Sequence, residues 1–250
     1  VELPTRKFQP ISINTTYKQR KRAIERFNEL SEEQQLKHGR DHLKDSFTDG
    51  EGTKLGFVAE EVIHDHYNEN SFGLDIFIHA PTINYDFLEK ILRYSHDSKA
   101  KSFDPFSEPA GHWNGSVYFK NPDNKPNEKP FWVQKCDVYW FSRVTKDLTR
   151  VVIMGFISRY DFFAAQTIDT IGIKGQIEPG AANGFRVRQN CFNIRYDKLW
   201  APPQRDSWAA RLILLQDTYG IDHATNRNDL QAERRPQERV EASAVLSASR

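Results

Sequence analysis

The stretch RVVIMGFI is the strongest single constraint on how this chain can fold. Residues 151–157 are almost continuously apolar and rich in β-branched side chains, which fits a strand covered on both faces. Such a strand needs neighbours in its own sheet and a layer of structure above and below it, so a layered α/β or α+β arrangement is expected. The preceding VQKCDVYWFSRV is also strand-like, and the Thr145-Lys146-Asp147-Leu148-Thr149 segment between them reads as a turn. Ser158 with Asp161 three positions later is a helix-start signature, and Tyr160, Phe162, Phe163 and Ala164 would carry that helix.

The rest of the core reads in the same way. In 53–67, Leu55, Val58, Ala59, Val62 and Ile63 fall at helical spacing; Glu60 borders the apolar sector, while Glu61 falls further toward solvent. Residues 74–79 alternate as a strand, Pro81-Thr82 breaks it, and 85–88 with 91–100 form a hairpin turning near Glu89-Lys90. The expected fold is α/β (α+β), with a central mixed sheet of about five strands (74–79, 85–88, 91–100, 138–144 and 151–157) flanked by helices.

Outside this core the signals are plainer. Residues 1–13 are irregular, and Asn14 or Thr15 would cap a helix running to about Leu30 along a seam of Ala23, Phe27 and Leu30. Its basic cluster, Lys18, Arg20, Lys21 and Arg22, is expected to be a solvated face. Ser31 followed by Gln34 suggests a second helix toward Leu43. The stretch after Lys101 is loop-prone, with Trp113, Tyr118 and Phe119 expected to pack rather than to stack on bases. Residues 172–184 read as connection, and 185–199 as a last strand or ribbon whose Arg186, Arg188 and Arg195 could meet backbone phosphates. Residues 207–219 suit a short helix, and 224–250 a polar tail, or a helix that orders against a second copy or another protein. These signals divide the chain into an N-terminal helical segment (1–52), a core (53–203) and a C-terminal helix and tail (204–250).

Charge narrows the function classes only a little. Lys plus Arg number 35 against 34 Asp plus Glu, so no global positive field marks the chain, and any nucleic-acid surface must be local. Two cysteines, Cys136 and Cys191, without a signal-like apolar start, lead to the expectation of a reducing, cytoplasmic setting. No apolar run approaches the length that spans a bilayer.

The chemistry concentrates in YDFLEKILRYSHDSKAK. Alternation along a strand points Asp97 and Lys99 one way and Ser98 the other, and a carboxylate on the preceding strand, Asp86, can share a divalent cation with Asp97. A helix acid bordering the core face, Glu60, can reach a site on the sheet it covers. The other acid-x-Lys triplet, Asp123-Asn124-Lys125, lies among Pro122, Pro126 and Pro130 and reads as loop outside the site. His64 and His66, two apart on a helix, diverge and are not expected to bind zinc.

Asp86, ten intervening residues and Asp97-Ser98-Lys99 resemble the active site of the PD-(D/E)xK (restriction-endonuclease-like) nuclease superfamily. GFVAEEVIHDHY is similar to the first-helix signature of its phage and bacterial members. The Phe-x-Arg-Val strand end, Lys-Asp-Leu turn, Gly-Phe-Ile strand end and Ser-capped, Phe-rich helix follow in the order that subset has. The resemblance covers 56–199 and implies a restriction-endonuclease-like core that hydrolyses DNA phosphodiester bonds by in-line water attack in the cytoplasm of a bacterial host cell, encoded by the bacterium or by a phage. It implies Glu60, Asp86 and Asp97 as ligands of Mg²⁺ or Mn²⁺, Lys99 as the group that orients water and steadies the oxyanion, and Lys101, Arg186 and Arg188 as DNA contacts. Ser98 and His96 stand where the pattern carries apolar residues. They point to the alternative, a nuclease-fold protein without the chemistry that serves as a nucleic-acid-binding or virion assembly component.

Overall fold

The two strands around the 145–149 turn form the spine of the molecule. The computed structural model describes residues 8–30, 51–80, 85–118, 136–163, 170–173, 175–177 and 190–219. In chain order its elements are β1 (Ile11–Asn14), α1 (Tyr17–Asn28), α2 (Glu51–Asn68), β2 (Phe77–His79), β3 (Phe87–Glu89), β4 (Ser95–Phe103), β5 (Asn114–Tyr118), β6 (Val138–Thr145), β7 (Arg150–Ser158), α3 (Arg159–Phe162), β8 (Thr170–Gly172), β9 (Cys191–Arg195) and α4 (Arg205–Tyr219). The larger sheet has the order β1-β7-β6-β4-β3-β2 and is mixed: β4 and β6 run parallel, and the other neighbours antiparallel. The chain is thus a mixed α/β protein with a helix-flanked mixed sheet.

Strand β7 is covered on both faces, as its composition demands. On one side Val151 and Ile153 join Trp140 and Val144 of β6 beneath the apolar stripe of α2, with Trp208, Ala209 and Leu212 of α4 closing the layer. Trp208 stacks on Trp140 at 5.5 Å between ring centroids. On the other side Val152, Met154 and Ile157 meet Phe162 of α3 and Val117, Phe192 and Ile194 from a second, three-stranded antiparallel sheet of order β5-β9-β8. Arg143 ties the two sheets together, donating to the Tyr196 hydroxyl (2.8 Å) and to the carbonyls of Ser102 and Asn114 (3.1 and 3.0 Å). Trp113 lies against the same guanidinium, a packing role.

Three expectations need correction. The N-terminal 1–13 stretch is not wholly irregular, because residues 11–14 pair with β7 as a sixth strand of the main sheet. Four residues are too few for alternation to stand out. The helix cap is Thr16, whose hydroxyl accepts from the Gln19 amide in a reciprocal capping box, rather than Asn14 or Thr15. Thr15 instead donates its hydroxyl to the Leu148 carbonyl at 2.6 Å, fastening the helix start to the β6–β7 turn. The loop-prone stretch after Lys101 contains β5, which pairs with the expected last strand. The helix proposed from Ser31, Asp123 and Lys125, and the 224–250 tail lie outside the described residues. Among the described residues no helix is long and apolar enough to cross a membrane.

The β6–β7 register slips between Phe141 and Ser142, where Phe141 pairs with Gly155 and Ser142 with Ile153. Gly155 absorbs this bulge at a φ of +151°, and a Cβ there would sit 2.5 Å from the Trp200 carbonyl oxygen. Gly155→Ala is therefore expected to destabilise the fold by about 3 kcal/mol, combining backbone strain with overpacking, as read from the midpoint of urea unfolding.

Candidate active site

Strand β4 has a partner along its whole length on one side only. Its register with β6 runs from His96 to Phe103, whereas β3 pairs with it only at Ser95 and His96. Beyond that point the amide groups on the β3 side need other acceptors. Asp86, just before β3, meets this need: its own N–H donates to the His96 carbonyl (2.9 Å) and its Oδ2 accepts the Ser98 N–H (2.7 Å). A carboxylate thus continues the ladder that the strand does not.

Alternation then sorts the next residues. His96 and Ser98 pair in register with Val138 and Trp140, while Asp97 and Lys99 pair with Tyr139 and Phe141 and take the opposite face. The Lys99 ammonium lies 2.6 Å from Asp97 Oδ2. Asp97 is 1% exposed, and its carboxyl and that of Asp86 interact electrostatically. Asp86, Asp97 and Lys99 are therefore one cluster. The fourth sequence candidate, Glu60, arrives from α2, which packs on β4. Its carboxyl is 5% exposed, is within electrostatic reach of Asp86 and Asp97, and accepts from Arg26 of α1 at 2.6 Å.

The electrostatics follow from burying like charges together. Burial pushes the Glu60 carboxyl well above the usual range, with Asp86 adding to it and Arg26 opposing. Burial also raises Asp86, against the pull of Lys99 and the Ser98 amide. Asp97 is pushed up to about 7 by burial, against the pull of Lys99 and with a further push from Asp86. Burial works against the Lys99 charge, yet Asp97 and Asp86 outweigh it and hold the ammonium above its ordinary value. Beside them the Cys136 thiol, hydrogen-bonded with Tyr139, is driven upward by burial and stays protonated, so it is no nucleophile.

Among the described residues no three His, Cys, Asp or Glu side chains are arranged as a metal cage. The donor set still fits a hard cation of the Mg²⁺ kind, which uses one or two carboxylates and keeps its remaining positions for water and substrate phosphate. Asp86 and Asp97 supply such a pair, and burial, which disfavours their charged forms, is the main reason both hold protons more tightly than usual. His64 and His66 do part ways. His64 stacks on His79 at 4.2 Å and bonds with Asp65 and Asn68, while His66 packs edge-on against Tyr67.

Sequence reading missed one element of this site. Glu61 is not turned toward solvent but 3% exposed, because α1 lies over it. Arg22 donates to Glu61 (2.5 Å) and Asp65 (2.5 Å), and Arg26 to Glu60 (2.6 Å) and Glu61 (3.1 Å). The expected solvated basic face holds for Lys18 and Lys21, which are exposed, Lys21 in a surface pair with Glu25, whereas Arg20 bonds Thr15 and Arg22 faces the acids of α2. The signal was present as two arginines one turn apart in α1 and three acids at helical spacing in α2, but nothing local shows that the two stripes face each other. Lys101 is part-buried on β4, in register with Arg143; Arg186 and Arg188 lie outside the described residues, and Arg195 pairs with Asp197. No protein-family model matches the chain, and no curated protein matches it either.

The raised acids have a measurable consequence. An unfolded Asp titrates near 4, so between pH ~4 and ~7 folded Asp97 holds a proton that the unfolded chain has released, and Glu60 and Asp86 act in the same direction. Unfolding releases protons across that window, and stability falls as pH rises through it. Metal-free protein is expected to be less stable to urea at pH 8 than at pH 5, and Asp97→Asn to flatten that difference.

Proposed function

We propose that the chain is a metal-dependent deoxyribonuclease with a restriction-endonuclease-like core, hydrolysing phosphodiester bonds by in-line attack of water. The observation that carries this reading is the single buried cluster of Asp86, Asp97 and Lys99 where β3 leaves β4, with Glu60 reaching it from the covering helix. Asp86 and Asp97, with Glu60 in electrostatic reach of both, would hold Mg²⁺ or Mn²⁺, which when bound supplies a Lewis acid for the phosphate and lowers the pKa of a water. Asp86 is anchored for this by the Ser98 amide, so its carboxylate does not need to reorganise. Lys99, charged and largely buried at 18% exposure, is the group that orients the attacking water and donates to the developing oxyanion. Phosphates of the DNA backbone would meet Lys101, two residues further along the same strand face, and Arg186 and Arg188.

The alternative, a nuclease-fold protein that binds nucleic acid or assembles into a virion without cutting, draws support from one feature. Lys99 sits directly on Asp97 and Arg26 on Glu60, so each of these acids already has a cationic partner. Of the two positions that depart from the family pattern, His96 does not favour it: its Nδ1 accepts the Trp140 indole N–H at 3.0 Å within an aromatic cluster, which explains a histidine at a core position. Nothing in the structure explains a serine at 98, whose buried hydroxyl makes no hydrogen bond among the described residues.

The test is cleavage of linear, nicked and branched DNA with Mg²⁺ and Mn²⁺ by wild type, Asp97→Ala and Lys99→Ala. Lys99→Ala is expected to slow cleavage by about 10²- to 10⁴-fold while leaving the protein folded, because Asp97 can take up a proton when its partner is gone. Equal activity of all three proteins would sink the assignment, and no activity from any would favour the binding or assembly reading.

A further inference from the structure

Arg26 reaches the acid cluster from a helix that precedes the core in the chain. It lies on α1, outside the 56–199 span that resembles the nuclease core, yet its guanidinium is the group that touches Glu60. It is held on three sides. One terminal nitrogen donates to Glu60 Oε2 at 2.6 Å, the other to Glu61 Oε1 at 3.1 Å, and the plane lies 4.4 Å from the centroid of the Phe57 ring. Three restraints on one planar fork leave it little freedom, and a buried carboxylate gripped by that fork has its direction set as well.

We infer that Arg26 is a positioning residue of the active site: it fixes the Glu60 carboxylate for cation binding and so makes α1 part of the catalytic machinery. The inference rests on the nuclease reading for the role of Glu60 and on the observed contacts for the role of Arg26. Arg22 provides the internal contrast. It sits one turn earlier on the same helix and also binds two carboxylates, but these are Glu61 and Asp65, and it makes no contact with Glu60. The two arginines hold α1 on α2 in the same way, and only one of them touches the site.

A purely structural role and a positioning role therefore predict different results. Removing the partner that orients a ligand typically costs about 10- to 100-fold in metal affinity or activity. In the full-length protein, Mn²⁺ binding followed by electron paramagnetic resonance is expected to weaken by about that factor in Arg26→Ala and to stay near wild type in Arg22→Ala, with similar losses in melting temperature for both. Arg26→Lys, which keeps the charge but cannot span Glu60 and Glu61, should recover part of the affinity. Against a Glu60→Gln background, Arg26→Ala should add nothing, because the carboxylate through which it acts is already gone.

Equal loss in the two arginine variants, an additive effect on the Glu60→Gln background, or no Mn²⁺ binding by the wild type would each overturn the inference. If the wild type binds Mn²⁺ in this Arg26-dependent way but cleaves no DNA, the positioning role stands and the nuclease reading falls. If it cleaves DNA with no dependence on Arg26, the reverse holds.

Discussion

A nine-residue strand satisfied on one edge and abandoned after two residues on the other is the constraint on which the site depends. Buried backbone amides must find acceptors, and water is not at hand in the covered part of a sheet. The chain meets the need at Ser98 with the carboxylate of Asp86, which brings an acid to the sheet edge for reasons of backbone hydrogen bonding alone. The neighbouring side chains of β4 are then Asp97 and Lys99, and a helix crossing the same strand supplies Glu60. The cluster of ionisable groups occupies the position where the sheet is incomplete.

Concentrating acids there works against stability. Glu60, Asp86 and Asp97 all bind protons more tightly in the fold than their side chains ordinarily do, the sign of charge held in an unfavourable place. Two cations counter it from different directions: Lys99 from within the strand, Arg26 from α1. Neither would be worth much on an exposed surface; here each contact is largely removed from water, where losing one partner leaves the other stranded. The aromatic layer of Tyr67, Phe77, Trp140 and Trp208 between α2, α4 and the sheet supplies the compensating burial of apolar surface.

Much of this was legible in the residues, and the exceptions share a cause. Period-two alternation placed Asp97 and Lys99 on one face, and period-3.6 spacing placed Glu60 beside the apolar stripe of α2; both are local, and both are seen. The 85–100 hairpin and the 145–149 turn were readable because their strands are flanked by turn-forming residues. Strand β1 was not, since Ile11 and Ile13 become a strand only by pairing with β7, 140 residues or so away along the chain. The burial of Glu61 was missed for the same reason: the helical wheel of α2 shows where its own core lies, but not that α1 covers the next sector with Arg22 and Arg26. His96 looked out of place among apolar neighbours until Trp140, on the adjacent strand, was seen to donate to it.

The attachment of Thr15 to the 145–149 turn gives α1 the character of a ruler. Helix geometry carries the chain about 15 Å from the cap at Thr16 to Arg26, and each residue turns the side chain by about 100°. With its origin pinned to the Leu148 carbonyl and its axis lying along α2, the helix delivers a guanidinium to one height and one bearing. Composition in the intervening nine residues can drift freely on the outer face, but their number cannot: one residue more or fewer would swing the arginine off the carboxylate it grips.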